Sequence, residues 1–445
     1  MFEIGRELRR FFAPSRPRDG FCQGDLSLLE LLDLKLLEGE ARSADVAAGR
    51  IGATDRAQRL VEAAAVRREL ARRTGDPAAL RKAASCAEQA AEIRRREGRG
   101  RGLGQANCAQ ARIALLGAEL FGDDGLNAAA GYLVGQAPDS TAARAIRARL
   151  AARRALSAGD VDEVQAAART FDAPLAEMAG RARAEGGDYA LAQLRGERAE
   201  FLMCCGARLR EPRLIEAAMA DLDRARAGLD EAYHPLAVSR IHELRGLSLL
   251  RLGELAGEVA TILDGVDALS EAVDLAAPDH SPLDWARCNH GLGLGLMALG
   301  EAGSSPLAFD RALQALGKAQ AVLEQAPSVV LRAAVVQDRA ACLVRRAELM
   351  DDSYALDEAE AILRGELASQ KPAPDPVPWA VLQMNLARVY MAQAKARGGD
   401  RGEAARAGEA LAAALDVFAE RGLRSLAVIA DAGLQRLRTA ANPIS

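Results

Sequence analysis

Internal repetition constrains this chain more than any other feature. Two prolines open similar phrases 47 residues apart, HPLAVSRIHELRGLSLLRLGE around Pro235 and SPLDWARCNHGLGLGLMALGE around Pro282. The same step leads to Val329 in PSVVLRAAVVQDRAACLVRRAE, then to Pro376 in PDPVPWAVLQMNLARVYMAQA. The two tryptophans, Trp285 and Trp379, are 94 residues apart, twice that step. One small residue recurs in register: Ala199, Gly246, Gly293, Ala340 and Ala387. A repeat this regular predicts an array of like units, each too small to bury its apolar face alone.

Within one unit the apolar spacing is helical. Trp285, Cys288, Leu292, Leu296 and Leu299 form one stripe, and Phe309, Leu313, Leu316 and Leu323 form a second beyond the break at GEAGSSP. A helix, a turn and a second helix account for the period without a strand. Pro235 and Pro282 suit the first helical turn, where a missing N–H costs little. Gly293 and its equivalents fit positions where two helix backbones approach closely. Composition agrees: the 445 residues are 50% hydrophobic but only 4% aromatic, and Ala and Leu dominate.

The N-terminal half is more degenerate. Gly-Asp pairs at Gly75, Gly122 and Gly159 mark turns with drifting spacing. The pattern predicts helices over 24–49, 54–73, 76–96, 104–121, 124–136, 139–157 and 160–171. Asp25 to Arg50 reads as one long capping helix, and the last clear helix runs from Leu423 to Thr439 before Asn442-Pro443. The expected organisation is a basic, aromatic segment over 1–23, degenerate helical repeats over 24–187, regular repeats over 188–440 and a tail over 441–445.

These residues resemble the tetratricopeptide repeats. ALGE at 298–301 and RLGE at 251–254 are similar to that family's Gly-Asp/Glu turn, and Gly293 and Gly246 stand at its small packing position. PLDWARCNHGLGLGL is closer to a long-period bacterial variety with the phrase PLDWAxTQNNLGNAL. Pro282, Leu283, Asp284, Trp285, Ala286, Leu292, Gly293 and Leu296 match, and His290 and Gly291 replace asparagines. VPWAVLQMNLARVY is a weaker copy that keeps Trp379, Ala380, Asn385 and Leu386. The resemblance covers about 188–440, whereas the family's usual period is 34. It implies an all-α, right-handed α-solenoid of stacked antiparallel helix pairs; HEAT or armadillo repeats, with periods near 40–47, are the alternative.

The resemblance also implies a concave groove that binds a peptide or protein segment. Groove-facing positions lie six and three residues before the small packing residue, and one and four or five after it. Carried onto this chain, they select Arg240, Glu243, Arg251, Arg287, His290, Gln337, Arg345, Met384 and Arg388. Five arginines and one glutamate favour an acidic segment or a free carboxylate as ligand. The expected function is a non-enzymatic scaffold or adaptor with no cofactor.

Other chemistry finds little footing. The seven cysteines are odd in number and irregularly spaced, which suits free thiols in a reducing cytoplasm. Cys288 and His290 are two apart and do not face one another on a helix, so no metal site is expected. The glycines of REGRGRGLGQANCAQ (97–111) follow a helix rather than a strand and lack G-K-[ST], so they read as a helix cap and linker. The nearby Arg94, Arg95, Arg96, Arg99 and Arg101 read as a solvated face or as a hold for an acidic partner. A net charge of −4 argues against nucleic-acid binding. No apolar run is long enough to span a membrane. The opening MFEIGRELRRFFAPSRPR places Ile4, Leu8, Phe11 and Phe12 beside Arg6, Arg9 and Arg10. It fits a terminal helix on the first repeat, a protein-docking peptide, or a membrane-surface helix. Membrane contact is expected only through residues 1–18. A second functional reading is therefore a regulator tethered to a membrane surface or larger complex by this segment.

Overall fold

Helix starts follow from local chemistry. Asp33 accepts the backbone N–H of Leu36 at 2.7 Å, Asp76 accepts those of Ala78 and Ala79, and Asp160 accepts that of Glu163. Ser140 and Ser305 cap through Ala143 and Ala308. Each satisfies an N–H that the first helical turn leaves without a partner. Pro77, Pro212, Pro235 and Pro306 occupy the first turn of their helices. Gly75 closes one helix at φ 71°, a left-handed conformation in which its N–H reaches the Ala71 carbonyl at 2.7 Å.

The computed structural model describes residues 27–50, 55–98, 100–156, 159–185, 189–326, 328–350, 352–369, 376–399, 401–421 and 423–441. Among them there is no strand. The chain forms two compact units, residues 1–288 with 325–329, and residues 289–324 with 330–445. The first opens with a 3-10 turn (Ser27–Leu31), α1 (Leu34–Gly49), α2 (Arg56–Thr74), α3 (Pro77–Arg96), α4 (Gly100–Phe121) and α5 (Asp124–Gly135). It continues through α6 (Thr141–Ala155), α7 (Val161–Arg169), α8 (Asp172–Glu185), α9 (Tyr189–Leu209) and α10 (Pro212–Arg226). Helices α11 (Pro235–Ala256) and α12 (Val259–Leu275) follow, then α13 (Pro282–Gly303), whose first seven residues belong to this unit. The second unit holds the rest of α13, α14 (Pro306–Leu323), α15 (Val329–Met350), α16 (Ser353–Ser369), α17 (Val377–Ala396), α18 (Glu403–Glu420) and α19 (Arg424–Ala441). The architecture is an all-α array of consecutive helix pairs, as the sequence predicts.

One packing contact recurs through the regular pairs. A Cβ at Gly206 would lie 2.7 Å from Ile215, one at Gly253 would lie 2.7 Å from Ile262, and one at Gly300 would lie 3.0 Å from the Phe309 ring. Each glycine is a notch that accepts an apolar knob from the second helix of its pair. A second notch sits higher on the first helix. A Cβ at Gly246 would meet Leu269 Cγ at 2.6 Å, and one at Gly293 would meet Leu316 Cγ at 2.6 Å. Ala199, Ala340 and Ala387 are buried, and Leu222, Leu269, Leu316 and Leu363 are all within 1% of full burial. The recurring small residues thus serve helix packing, as expected.

Three expectations need correction. The capping helix over 25–50 is not continuous: α1 starts afresh at Leu34 with Asp33 as its cap. The cause is Arg73, fully buried, which takes the carbonyls of Leu29 and Leu32 at 2.6 Å each and so withdraws acceptors a continuing helix would use. The glycines of 97–111 are not a linker, because α4 begins at Gly100. Gly102 admits the Arg94 side chain and Gly104 admits Pro138, each within 2.7 Å of where a Cβ would stand. Arg94 is accordingly no solvated residue; it is buried and donates from Nη2 to both Asp55 oxygens at 2.7 and 2.9 Å. The segment over 1–23 and the tail beyond residue 441 lie outside the described residues.

Candidate partner-binding face

The first helices of successive pairs in the N-terminal unit pack in series, α2 on α4, α4 on α6, α6 on α9 and α9 on α11. Their shared face is built from charged side chains. Arg240 of α11 contacts Glu200 of α9 at 2.7 Å and Glu243 at 2.6 Å. Arg149 of α6 pairs with Glu197 of α9, and Arg153 lies 3.7 Å from Glu119 of α4. Burial opposes the Arg240 charge, but Glu200 and Glu243 outweigh it and hold the guanidinium firmly protonated.

This face is closed by contacts between residues far apart in sequence. Arg72 of α2 donates from Nη1 to both Asp284 oxygens of α13 at 2.8 and 3.0 Å, and from Nη2 and Nε to Glu69 at 2.8 and 2.9 Å. Asp284 also accepts from Ser281 Oγ at 2.6 Å and from Arg287 at 3.2 Å. Burial pushes the Asp284 carboxyl upward, yet Arg72 and Arg287 hold it below its ordinary value. Glu30 of the 3-10 turn accepts the Tyr189 hydroxyl at 2.7 Å and the first N–H groups of α11, from Leu236 and Ala237, at 3.1 Å. Its carboxyl is nevertheless pushed up to about 7, because burial outweighs these hydrogen bonds and the nearby Arg72. Asp284, read from sequence only as part of a family phrase, therefore tethers α13 to α2.

Three more arginines converge on the face. Arg68 of α2, Arg112 of α4 and Arg149 of α6 are half-buried and close enough to repel one another. Burial, then the Arg112 charge, lowers Arg68 to about 10, so it stays protonated at neutral pH. Sequence reasoning missed these three because spacing drifts in this half. A register counted from the Gly-Asp turns would have caught two: Arg112 and Arg149 each stand ten residues before the turn glycine, Gly122 and Gly159.

The expected groove residues fall in both units. In the first, Arg240 and Arg287 are half-buried within the carboxylate network, and Glu243 is 3% exposed beneath Arg240, so it braces the wall instead of presenting itself. Arg251 is half-buried and pairs with Glu254 at 2.8 Å. In the second, His290 contacts Asp338 at 2.6 Å, and Arg345 is held by Glu301 and Glu348 at 3.0 Å each. Gln337 is half-buried, Met384 packs on the unit's core, and Arg388 is exposed.

Cys86, Cys108, Cys205, Cys288 and Cys342 are free and buried, and Cys204 is free and exposed. No grouping of three metal-ligating side chains occurs among the described residues. No helix among them is long and apolar enough to cross a membrane.

No known protein family matches this chain. No curated protein matches it either. Among solved structures, it is similar to a STAND signal-transduction ATPase with a tetratricopeptide repeat sensor from Pyrococcus horikoshii. That match is 15% identical, covers 84% of this chain and 55% of the other, and has a TM-score of 0.41. The chain thus spans about half the length of that protein. Yeast Tom70 matches at 12% identity over 92% of this chain and 97% of its own, with a TM-score of 0.24. The Cut9-Hcn1 hetero-tetramer of APC/C matches at 13% identity over 87% of this chain and 92% of the other, with a TM-score of 0.18.

Proposed function

We propose that this chain is a non-enzymatic, cytoplasmic scaffold or adaptor that binds an acidic peptide or protein segment along the face of its first helices. The observation that carries this reading is the charged, half-buried wall spanning α2, α4, α6, α9 and α11. Ion pairs hold most of its side chains in fixed positions, which reduces the entropy lost when a ligand docks. Arginine dominates the wall, and its planar fork suits carboxylates and peptide carbonyls. The groove residues inferred from the repeat pattern add Arg251 within this unit, and Gln337, Arg345, Met384 and Arg388 take the same role within the second unit.

Affinity purification from the native organism with the full chain as bait would identify the partner. Arg251→Glu and Arg388→Glu then test the face, since Arg388 is exposed, Arg251 is partly exposed, and both sit outside the closing network. Each reversal should weaken partner binding at least tenfold, about 1.4 kcal/mol, with the melting temperature unchanged. Affinity equal to wild type in both variants would remove these positions from the binding face.

A further inference from the structure

We propose that Arg68, Arg112 and Arg149 form a recessed site for a doubly charged oxyanion, and that a phosphoryl group is the chemistry that fits it. Three helices that pack in series, α2, α4 and α6, each contribute one guanidinium. The carboxylates around them are already committed. Glu69 is held by Arg72 and Arg73 at 2.8 and 2.7 Å, and Glu200 by Arg240 at 2.7 Å. Glu119 lies between Arg153 and Arg287, and Glu197 pairs with Arg149. Arg68 and Arg112 make no hydrogen bond or ion pair within the described residues.

The local balance is therefore two uncompensated positive charges. Folding brings them together against mutual repulsion and partial loss of water, which is unfavourable unless something else offsets it. A singly charged carboxylate would leave one charge over, whereas a dianion neutralises both. A phosphoryl group also presents three oxygens, enough for the open forks of Arg68 and Arg112 and for the Arg149 nitrogen that Glu197 leaves over, the geometry in which arginine exceeds a point charge. Two neighbouring arginines of the same unit are placed differently. Arg95 and Arg96, exposed on α3, both turn back to Glu92 of their own helix.

The group could arrive as a free phosphate compound or on a phosphorylated segment, and only this choice bears on the scaffold reading. The test is calorimetric titration of the full chain with inorganic phosphate and, separately, with a short phosphoserine peptide. Wild type should bind at least one of them saturably at one per chain. Arg68→Gln/Arg112→Gln should lose at least tenfold in affinity, and Arg112→Gln alone, the fallback should the double variant fold poorly, should lose at least threefold. Arg95→Gln should bind as wild type does. Binding of the free ion assigns the site to a small solute, and binding of the peptide alone assigns it to a modified segment; both support the proposal. The absence of saturable binding by either probe overturns it. So does binding that survives loss of Arg68 and Arg112, or an equal loss in Arg95→Gln, which would mark a bulk charge effect. None of these results depends on Arg251 or Arg388, so the scaffold reading stands or falls separately.

Discussion

Replacing Gly246 by Ala tests the packing argument, because two opposed effects of known size meet there. Alanine is favoured over glycine inside a helix by about 1 kcal/mol, so an unobstructed Gly→Ala change stabilises. At Gly246 the new methyl would stand 2.6 Å from Leu269 Cγ and 2.8 Å from the Gly265 carbonyl oxygen. Leu269 is fully buried and has nowhere to turn. The carbonyl belongs to the α12 backbone and moves only if the whole helix does. Overpacking of this kind costs roughly 1–3 kcal/mol, and obstruction by backbone places it at the upper end. The net expectation is a loss of about 2 kcal/mol. Gly317 in α14 supplies the contrast, since a Cβ there meets nothing within 4 Å. Gly317→Ala should gain up to about 1 kcal/mol. Urea unfolding followed by far-ultraviolet circular dichroism would measure both variants. If Gly246→Ala proves as stable as Gly317→Ala, α11 and α12 do not approach as closely as described, and the notch argument fails.

Two further outcomes follow from the closing contacts of the N-terminal unit. The raised pKa of Glu30 means that its contribution to stability is fully present at low pH and is lost as pH rises from about 4.5 to about 7, a total of about 3 kcal/mol. His280, whose pKa burial lowers, contributes with the opposite slope in part of that range, so the difference between wild type and Glu30→Gln is the diagnostic quantity. Glu30→Gln should gain relative to wild type between pH 5 and pH 8 in unfolding experiments, and parallel profiles would contradict the assignment. Arg72→Ala leaves Asp284, 8% exposed, with Arg287 and Ser281 alone, and should cost about 2–4 kcal/mol given the partial exposure of Arg72. A loss under about 0.5 kcal/mol, the scatter of surface substitutions, would mean that the pair does not hold α13 to α2.

The features legible in the sequence are those whose causes are local. Asp76-Pro77, Pro212, Pro235 and Pro306 mark helix starts because a cap or a missing N–H acts within one turn. Gly246 and Gly293 declare close packing because only a missing Cβ explains their recurrence in register. The break before α1 is illegible for the opposite reason: it depends on Arg73, more than forty residues away in the chain. The Arg72–Asp284 pair joins residues 212 apart, and no spacing rule reaches that far. Sequence spacing also drifts between Gly159 and Tyr189, where the short α7 and α8 replace a regular pair. The register that selected Arg240 and Arg345 could not be carried back through that drift, so Arg68, Arg112 and Arg149 stayed hidden. Position alone assigns Glu243 to the groove, and position does not reveal that Arg240 lies over it.

A helical repeat array ordinarily behaves as a one-dimensional chain, in which a terminal repeat touches one neighbour and frays independently. The N-terminal unit departs from that rule. Glu30 sits on the first N–H groups of α11, the Leu34 N–H reaches the Asp279 carbonyl, and Arg72 holds Asp284. Its leading described helices are thus neighbours of its last ones, and the contacts among its described residues close into a loop. Opening α1 and α2 requires release of α11 and α13, so the lowest-energy partial unfolding is no longer the loss of a single end repeat. Closing the loop brings together residues more than two hundred positions apart, a step that pays its loop entropy before any contact rewards it. Assembly of this unit should therefore end in one slow concerted closure, with amide protection in α2 and α11 appearing together and not in chain order.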